Sequence, residues 1–365
     1  MYDLLLKGAH VVDPLNGVNG VNDVAVEGGK IAAVGPDLTG PAREVIDVSG
    51  WVLQPGIIDS HVHLGSMWGS PYGPRMLAMN GVTTCLDMAG PLDDILEKTP
   101  QYGAGLNTAI LQFASPPFTF KTNAPSKAEM VELIDKSLAE GALGVKLLGG
   151  HYPLTPEVSS TLIKTALERR AYVAWHAGTS AHGSNLEGMI EAVQTADGYP
   201  LHLAHINAYC RGAIKNEIDE ARTAVELLNA NPNIFSESYI SPKNGTRLTS
   251  GPDGKIQSKV TGNCLRHFGF TEDRDGVRKA LLAHKAFAVY DAGGYSDLMT
   301  GEDAVKLWES HNTDVGGSFN INPPIPRILL AQVKRPDGAF VVDAISTDGG
   351  CIPRNVILSQ GLSLV

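Results

Sequence analysis

Cysteine is scarce in this chain of 365 residues: Cys85, Cys210, Cys264 and Cys351 lie far apart, and no two form a C-x-x-C pair. That excludes a disulfide framework and a thiolate zinc site. Positive charge is also in deficit, with 29 Lys and Arg against 39 Asp and Glu, a net charge of −10. Without a dense basic run, such a chain is a poor match for nucleic acid or an anionic membrane. No apolar run approaches the ~20 residues needed to cross a bilayer. Residues 1–7 lack the basic start and apolar core of a signal peptide. The strand–G-x-G-x-x-G–helix opening of many doubly wound nucleotide folds is missing too. What is present is a chain 43% hydrophobic and 19% charged, able to bury a large core. Its length suits an α/β barrel with a modest appendage. A soluble, cytoplasmic α/β enzyme is the expectation.

The first fifty residues read as short strands at 3–7, 10–12, 23–27 and 30–34, separated by turn signals such as Asn16-Gly17 and Gly28-Gly29. Residues 1–54 are therefore expected to form a small β-sheet module. From Pro55 the rhythm becomes strand, turn, helix. Apolar runs suited to buried parallel strands fall at 56–59, 83–88, 108–113, 142–148, 172–175, 201–206, 234–239 and 340–345. Helix starts sit between them: capping boxes at Ser126–Glu129 and Ser184–Glu187, and Thr155-Pro156, a capping threonine with a first-turn proline. Further helices are expected at 213–228, 275–285 and 301–310. Eight strands are the number that closes a (β/α)8 TIM-type barrel over 55–365. A long insertion at about 241–339 interrupts it, read either as a lid over the barrel mouth or as an excursion around the outside.

Several strand ends carry chemistry. In His61-Val62-His63, residues two apart in a strand point the same way, so both imidazoles face one point. Lys146 lies within the apolar run Gly144-Val145-Lys146-Leu147-Leu148, where an ammonium is costly unless neutralised, paired or used. His176 and His205 end the next two strands, 30 and 29 residues further on in turn, about one βα unit each. Asp348 ends the last strand, and barrel closure returns it to His61 and His63. Four imidazoles and a carboxylate suit zinc or a similar divalent ion. A lysine offers a cation nothing until carbon dioxide converts it to a carbamate, whose two oxygens can bridge two ions.

With the run Val52-Leu53-Gln54-Pro55-Gly56-Ile57-Ile58-Asp59-Ser60-His61-Val62-His63, the entry segment 17–34, Lys146, His176, His205 and Asp348, the chain resembles the amidohydrolase superfamily. Within it, the chain is similar to the dihydroorotases, hydantoinases and N-acyl-amino-acid deacylases. The resemblance implies a binuclear site: His61, His63 and Asp348 on one metal, His176 and His205 on the other, carboxylated Lys146 and a hydroxide between them. It implies two divalent ions, zinc first among them, and a small β-sandwich formed largely by the N-terminal strands. It also implies cleavage of a C–N amide bond in a small-molecule substrate, a cyclic amide or imide or an N-acyl amino acid, in an enzyme expected to be a homo-oligomer. Two departures stand out. Asp348 is followed by Gly349-Gly350 where cyclic amidases commonly have a histidine, and the deacylases come closer here. The C-terminal strands that usually complete the sandwich are expected to be absent.

In the resemblance Asp348 is the general acid–base and Tyr152 an oxyanion partner. His151, His182, Asn207, Tyr209 and Arg211 are candidates to contact substrate. Three other readings stay open: a one-metal deaminase, a phosphotriesterase-like hydrolase, and a non-catalytic scaffold paralogue. Lys146 argues against the first, the N-terminal segment against the second and the full ligand set against the third.

Overall fold

A computed structural model describes residues 1–65, 71–350, 357 and 361, in two compact units, Met1–Ile57 and Ile58–Val365. Most of 351–365, with Cys351 and the expected absence of closing sandwich strands, lies outside the described residues.

The first unit is one five-stranded sheet. Strands β1 (Tyr2–Asp13), β2 (Val18–Glu27) and β3 (Lys30–Gly35) form an antiparallel meander. β4 (Ala42–Asp47) and β5 (Val52–Leu53) pair with β1 in parallel. The two strands expected at 3–7 and 10–12 are one strand with a bulge. Gly8 sits at φ +76°, and the register slips between Leu6 and Ala9. Asp23 holds the bulge, accepting hydrogen bonds from Lys7 Nζ at 2.5 Å and Gly8 N at 2.9 Å.

The second unit is built on a parallel sheet. Seven strands follow in order: β6 (Ile57–His63), β7 (Val82–Ala89), β8 (Asn107–Ala114), β9 (Gly144–Leu148), β10 (Tyr172–His176), β11 (Leu201–Leu203) and β12 (Ile234–Tyr239). Strands β13 (Thr246–Arg247), β14 (Ala286–Asp291), β15 (Ser296–Met299) and β16 (Gly316–Phe319) form a separate sheet described below. The eighth stave is split into β17 (Ala344–Ser346), paired with β12, and β18 (Gly349–Gly350), paired with β6. Only Thr347 and Asp348 lie between them. The sheet order thus starts and ends on one short stretch of chain, and the cylinder closes at eight positions.

Helices α1 (Gly73–Met79), α2 (Leu92–Tyr102), α3 (Lys127–Ala139), α4 (Pro156–Glu168), α5 (Leu186–Ala196) and α6 (Glu217–Ala230) alternate with the strands. Val145, Leu147, Val173 and Trp175 join Ile134, Leu162, Ile163 and Met189 of these helices in the main core. Each such side chain contributes roughly 1.5–3 kcal/mol of burial free energy. The residues in between, Lys146 and Ala174, are register partners and face the barrel axis.

Caps fix the helix starts. Ser126 and Glu129 form the expected capping box, and Thr155 caps α4 with Pro156 behind it. At α5 the cap is Asn185, one residue later than expected: its Oδ1 accepts from Gly188 N at 3.1 Å. Ser184 cannot serve because its hydroxyl faces His176 Nε2 at 2.8 Å.

The excursion after β12 has two parts. Between them β13–β16, α7 (Lys259–His267), α8 (Arg274–Leu282) and α9 (Glu302–Ser310) enclose a core of their own around Leu248, Leu265, Leu281, Trp308 and Phe319. Then α10 (Pro324–Gln332) returns to pack on α6 and β12 as the seventh barrel helix, with Leu330 in the main core. The excursion touches the mouth from several sides. Tyr72 Oη bonds Asp291 Oδ2 at 3.0 Å just before α1. Arg211 Nε, in the loop after β11, donates to Asn322 Oδ1 at 2.8 Å. Both contacts lie at the C-terminal end of the barrel strands.

Candidate metal centre

On β6 the alternation sends Asp59, His61 and His63 to one side, and all three are buried. Asp59 Oδ1 accepts the backbone N–H of Thr347 at 3.1 Å, and Oδ2 accepts its hydroxyl at 2.5 Å. The Asp348 N–H donates to the His61 carbonyl at 2.9 Å. Thus fixed, Asp348 turns at φ +49° and brings Oδ1 to 3.0 Å from His63 Nε2 and 3.5 Å from His61 Nε2. One ligand atom from each of these three residues lies within 4.8 Å of the others.

Beside them stands a second pair. His176 Nδ1 and His205 Nε2 face each other at 3.0 Å, and the His205 ring stacks on His61 at 5.2 Å. Gly150 makes room here, since a Cβ on it would lie 2.0 Å from His176 Nε2. Burial holds the His176 imidazole well below its usual range, and neighbouring His205 adds to the effect. Burial likewise holds His205 down, against the opposing pull of Asp348. Both rings are therefore neutral, with lone pairs to give.

Lys146 is fully enclosed, its Nζ 3.1 Å from Met88 Sδ. Burial lowers the amine to about 8, opposed by the carboxylates of Glu237, Asp348 and Asp87. Burial raises Asp59 and Asp87 to about 7 each and lifts Glu237 as well. The interior thus gathers four acids around one lysine and several neutral imidazoles. His205 Nδ1 is buried with no hydrogen-bond partner. This donor set fits divalent cations, which would balance the acids and use the lone pairs.

The remaining candidates fall into three groups. His151 stands 5.4 Å from the His176 ring, and burial, then His63, push it down to about 4. Tyr152 packs edge-on to Phe118 at 5.1 Å. Burial raises its hydroxyl, and Arg247 of the excursion pulls the other way. Arg211 spans from Asn322 to the Tyr239 hydroxyl, at 3.1 Å from the latter. These three border the cluster. Asn207 and Tyr209 are fully buried and serve the scaffold: Asn207 Oδ1 accepts from Ser238 Oγ and Tyr239 N, and Tyr209 Oη accepts from Ala177 N at 2.8 Å. His182 is not brought to the cluster. It is exposed and pairs with Glu191 at 3.0 Å, which raises its pKa.

Four residues escaped the sequence reading. Asp59, Asp87 and Glu237 each stand within an apolar strand run, the same signal that singled out Lys146. Asp87 clamps two loops, accepting from Leu64 N at 2.6 Å and Gly90 N at 2.5 Å. Ser184 carried no such signal, because serine before a helix reads first as a cap.

No family model matches the chain. A 99-residue stretch, 26% of the chain, is 44% identical to an allantoinase of Escherichia coli; the match spans 21% of that enzyme's length. Among solved structures, a D-aminoacylase variant in complex with copper chloride superposes with a TM-score of 0.68 at 19% identity, covering 100% of this chain and 82% of that one. The N-acyl-D-glutamate deacylase of Bordetella bronchiseptica, complexed with zinc and a phosphonate inhibitor, gives 0.63 at 15% identity, covering 95% and 76%. The fold is a (β/α)8 barrel, and its rim carries a cluster of side chains able to hold a metal ion. D-aminoacylase is described as defining a subset of amidohydrolases, and this chain is similar to it in fold.

Proposed function

We infer that the chain is a metal-dependent hydrolase cleaving a C–N amide bond, in a cyclic amide or imide or an N-acyl amino acid. The observation that carries this reading is the meeting of His61, His63 and Asp348 within 4.8 Å of one another, beside the facing His176–His205 pair. The barrel shared with two deacylases supports it.

His61, His63 and Asp348 would hold one cation, and His176 and His205 a second, with zinc favoured by the imidazole-rich set. D-aminoacylase is described with a binuclear metal centre, which supports a pair. With its pKa near 8, the Lys146 amine is neutral often enough to add to carbon dioxide. In such an addition the nitrogen would bond the carbon and release a proton, and the carbamate would give Lys146 oxygen donors with which to help hold the cations. Bound divalent ions would supply Lewis acidity toward a carbonyl and make water a nucleophile near neutral pH.

This chain's own groups do the rest. Asp348 takes the proton of the attacking water and hands it to the departing nitrogen. Tyr152, kept protonated by burial, donates to the oxygen on which charge develops. Neutral His151 and cationic Arg211 orient the substrate, and the excursion after β12 limits access of bulk water. Asn207 and Tyr209 support the strand ends from behind, and His182 orders the outer loop through Glu191. No described helix is long and apolar enough to cross a membrane; cytoplasmic residence and a homo-oligomeric state belong to the same reading.

A screen of the zinc-loaded protein against hydantoins, dihydropyrimidines and N-acyl amino acids of both hands tests it. Release of a carboxylate and an amine from one of these classes supports the reading. Deamination or phosphotriester hydrolysis instead, or no turnover of any amide, would overturn it.

A further inference from the structure

Glu237 lies on β12 and is fully enclosed, so it meets neither solvent nor substrate. Its Oε1 lies 2.6 Å from His61 Nδ1 and accepts the backbone N–H of His205 at 2.5 Å. Its Oε2 takes the hydroxyl of Ser346, two residues before Asp348. One carboxylate therefore joins β6, β11 and β17, the three staves that deliver His61, His205 and Asp348.

The geometry has a chemical consequence. An acceptor oxygen facing a ring nitrogen calls for a hydrogen on that nitrogen. Facing the ionised Glu237, His61 carries its proton on Nδ1, which leaves the Nε2 lone pair on the side of Asp348 and His63. The opposite tautomer would turn an N–H toward the cation position and leave two lone pairs facing each other at Glu237.

We propose that Glu237 is a positioning residue that fixes the His61 tautomer and locks His61 and His205 into one unit ready to receive a cation. This rests on the reading of His61 as a metal ligand. Side chains behind a ligating histidine are worth about 10- to 100-fold in metal affinity.

Two measurements test it, and they fail separately. In the metal-free wild type, ¹⁵N NMR of labelled histidine, with the signal assigned by its loss in His61→Gln, should show His61 as the Nδ1–H tautomer. The Nε2–H form would overturn the proposal whether or not the protein binds metal. Competition with a chelator for zinc gives the second readout. Glu237→Gln, still an acceptor but uncharged, should weaken zinc binding by about 10-fold, and Glu237→Leu, which accepts nothing, by about 100-fold. Zinc affinity in Glu237→Gln equal to wild type would also overturn it. A wild type that holds no zinc would sink the metal reading and leave the tautomer test standing.

Discussion

The barrel interior and the core of the excursion are equally dry and filled with opposite material. Lys146, Asp59, Asp87, His202 and Glu237 are each no more than 2% exposed, and so are Leu248, Leu265, Leu281, Trp308 and Phe319. Burying charge opposes folding unless every group is paired, whereas the excursion's apolar side chains favour it outright. The barrel can hold a costly interior because its stability comes from elsewhere, the shell between strands and helices around Trp175 and Ile163. The excursion has no such second layer, and its core is what keeps it folded.

That contrast can be broken at several points. The largest effect belongs to Asp348→Asn. It should lower kcat/KM for the amide substrate by about 10²- to 10⁴-fold with far-UV circular dichroism unchanged. Near-normal turnover in the metal-replete variant would remove Asp348 from proton transfer.

Trp308→Ala should cost about 3–5 kcal/mol, since it opens the excursion's core and deprives the Leu248 carbonyl of its 3.0 Å bond. Urea unfolding measures it, and a loss under about 1 kcal/mol would mean this core does not hold the excursion together.

Lys146→Met removes the one lysine among the buried acids and leaves them without its charge, so it should cost the metal-free protein about 3–5 kcal/mol while activity is lost. A Lys146→Met protein as stable as wild type in urea unfolding would show that the acids do not rely on the lysine.

The smallest effect is local. Asn185→Ala should cost about 1 kcal/mol through loss of the α5 cap. Ser184→Ala should leave that cap intact while loosening His176, seen as weaker zinc retention at unchanged thermal stability. Equal destabilisation by both would return Ser184 to the capping role.

Much of this was legible beforehand for a physical reason. A parallel strand covered on both faces must be apolar along its length, so the runs at 83–88, 144–148 and 172–175 stood out, and a lysine inside one was conspicuous. The imidazoles at strand ends were legible because βα spacing places them on one rim. Glu237 was overlooked because the serines on either side of it, Ser236 and Ser238, blur the apolar run of β12, and only the closed barrel shows which side is the interior. The split eighth stave could not be read, since the break at Thr347–Asp348 depends on Asp59 reaching across from β6. The excursion was least legible: its strands of two to six residues are too short for periodicity to identify, and α10 belongs to the barrel only by packing.

The central claim is that groups spread from His61 to Asp348 meet at the mouth of one barrel to hold a pair of cations. The direct measurement is zinc content by elemental analysis after exhaustive dialysis of protein loaded in the presence of bicarbonate. The account predicts about two equivalents per chain, falling in Lys146→Met. Zinc washing out to background, or a wild-type stoichiometry indistinguishable from that of Lys146→Met, would contradict it.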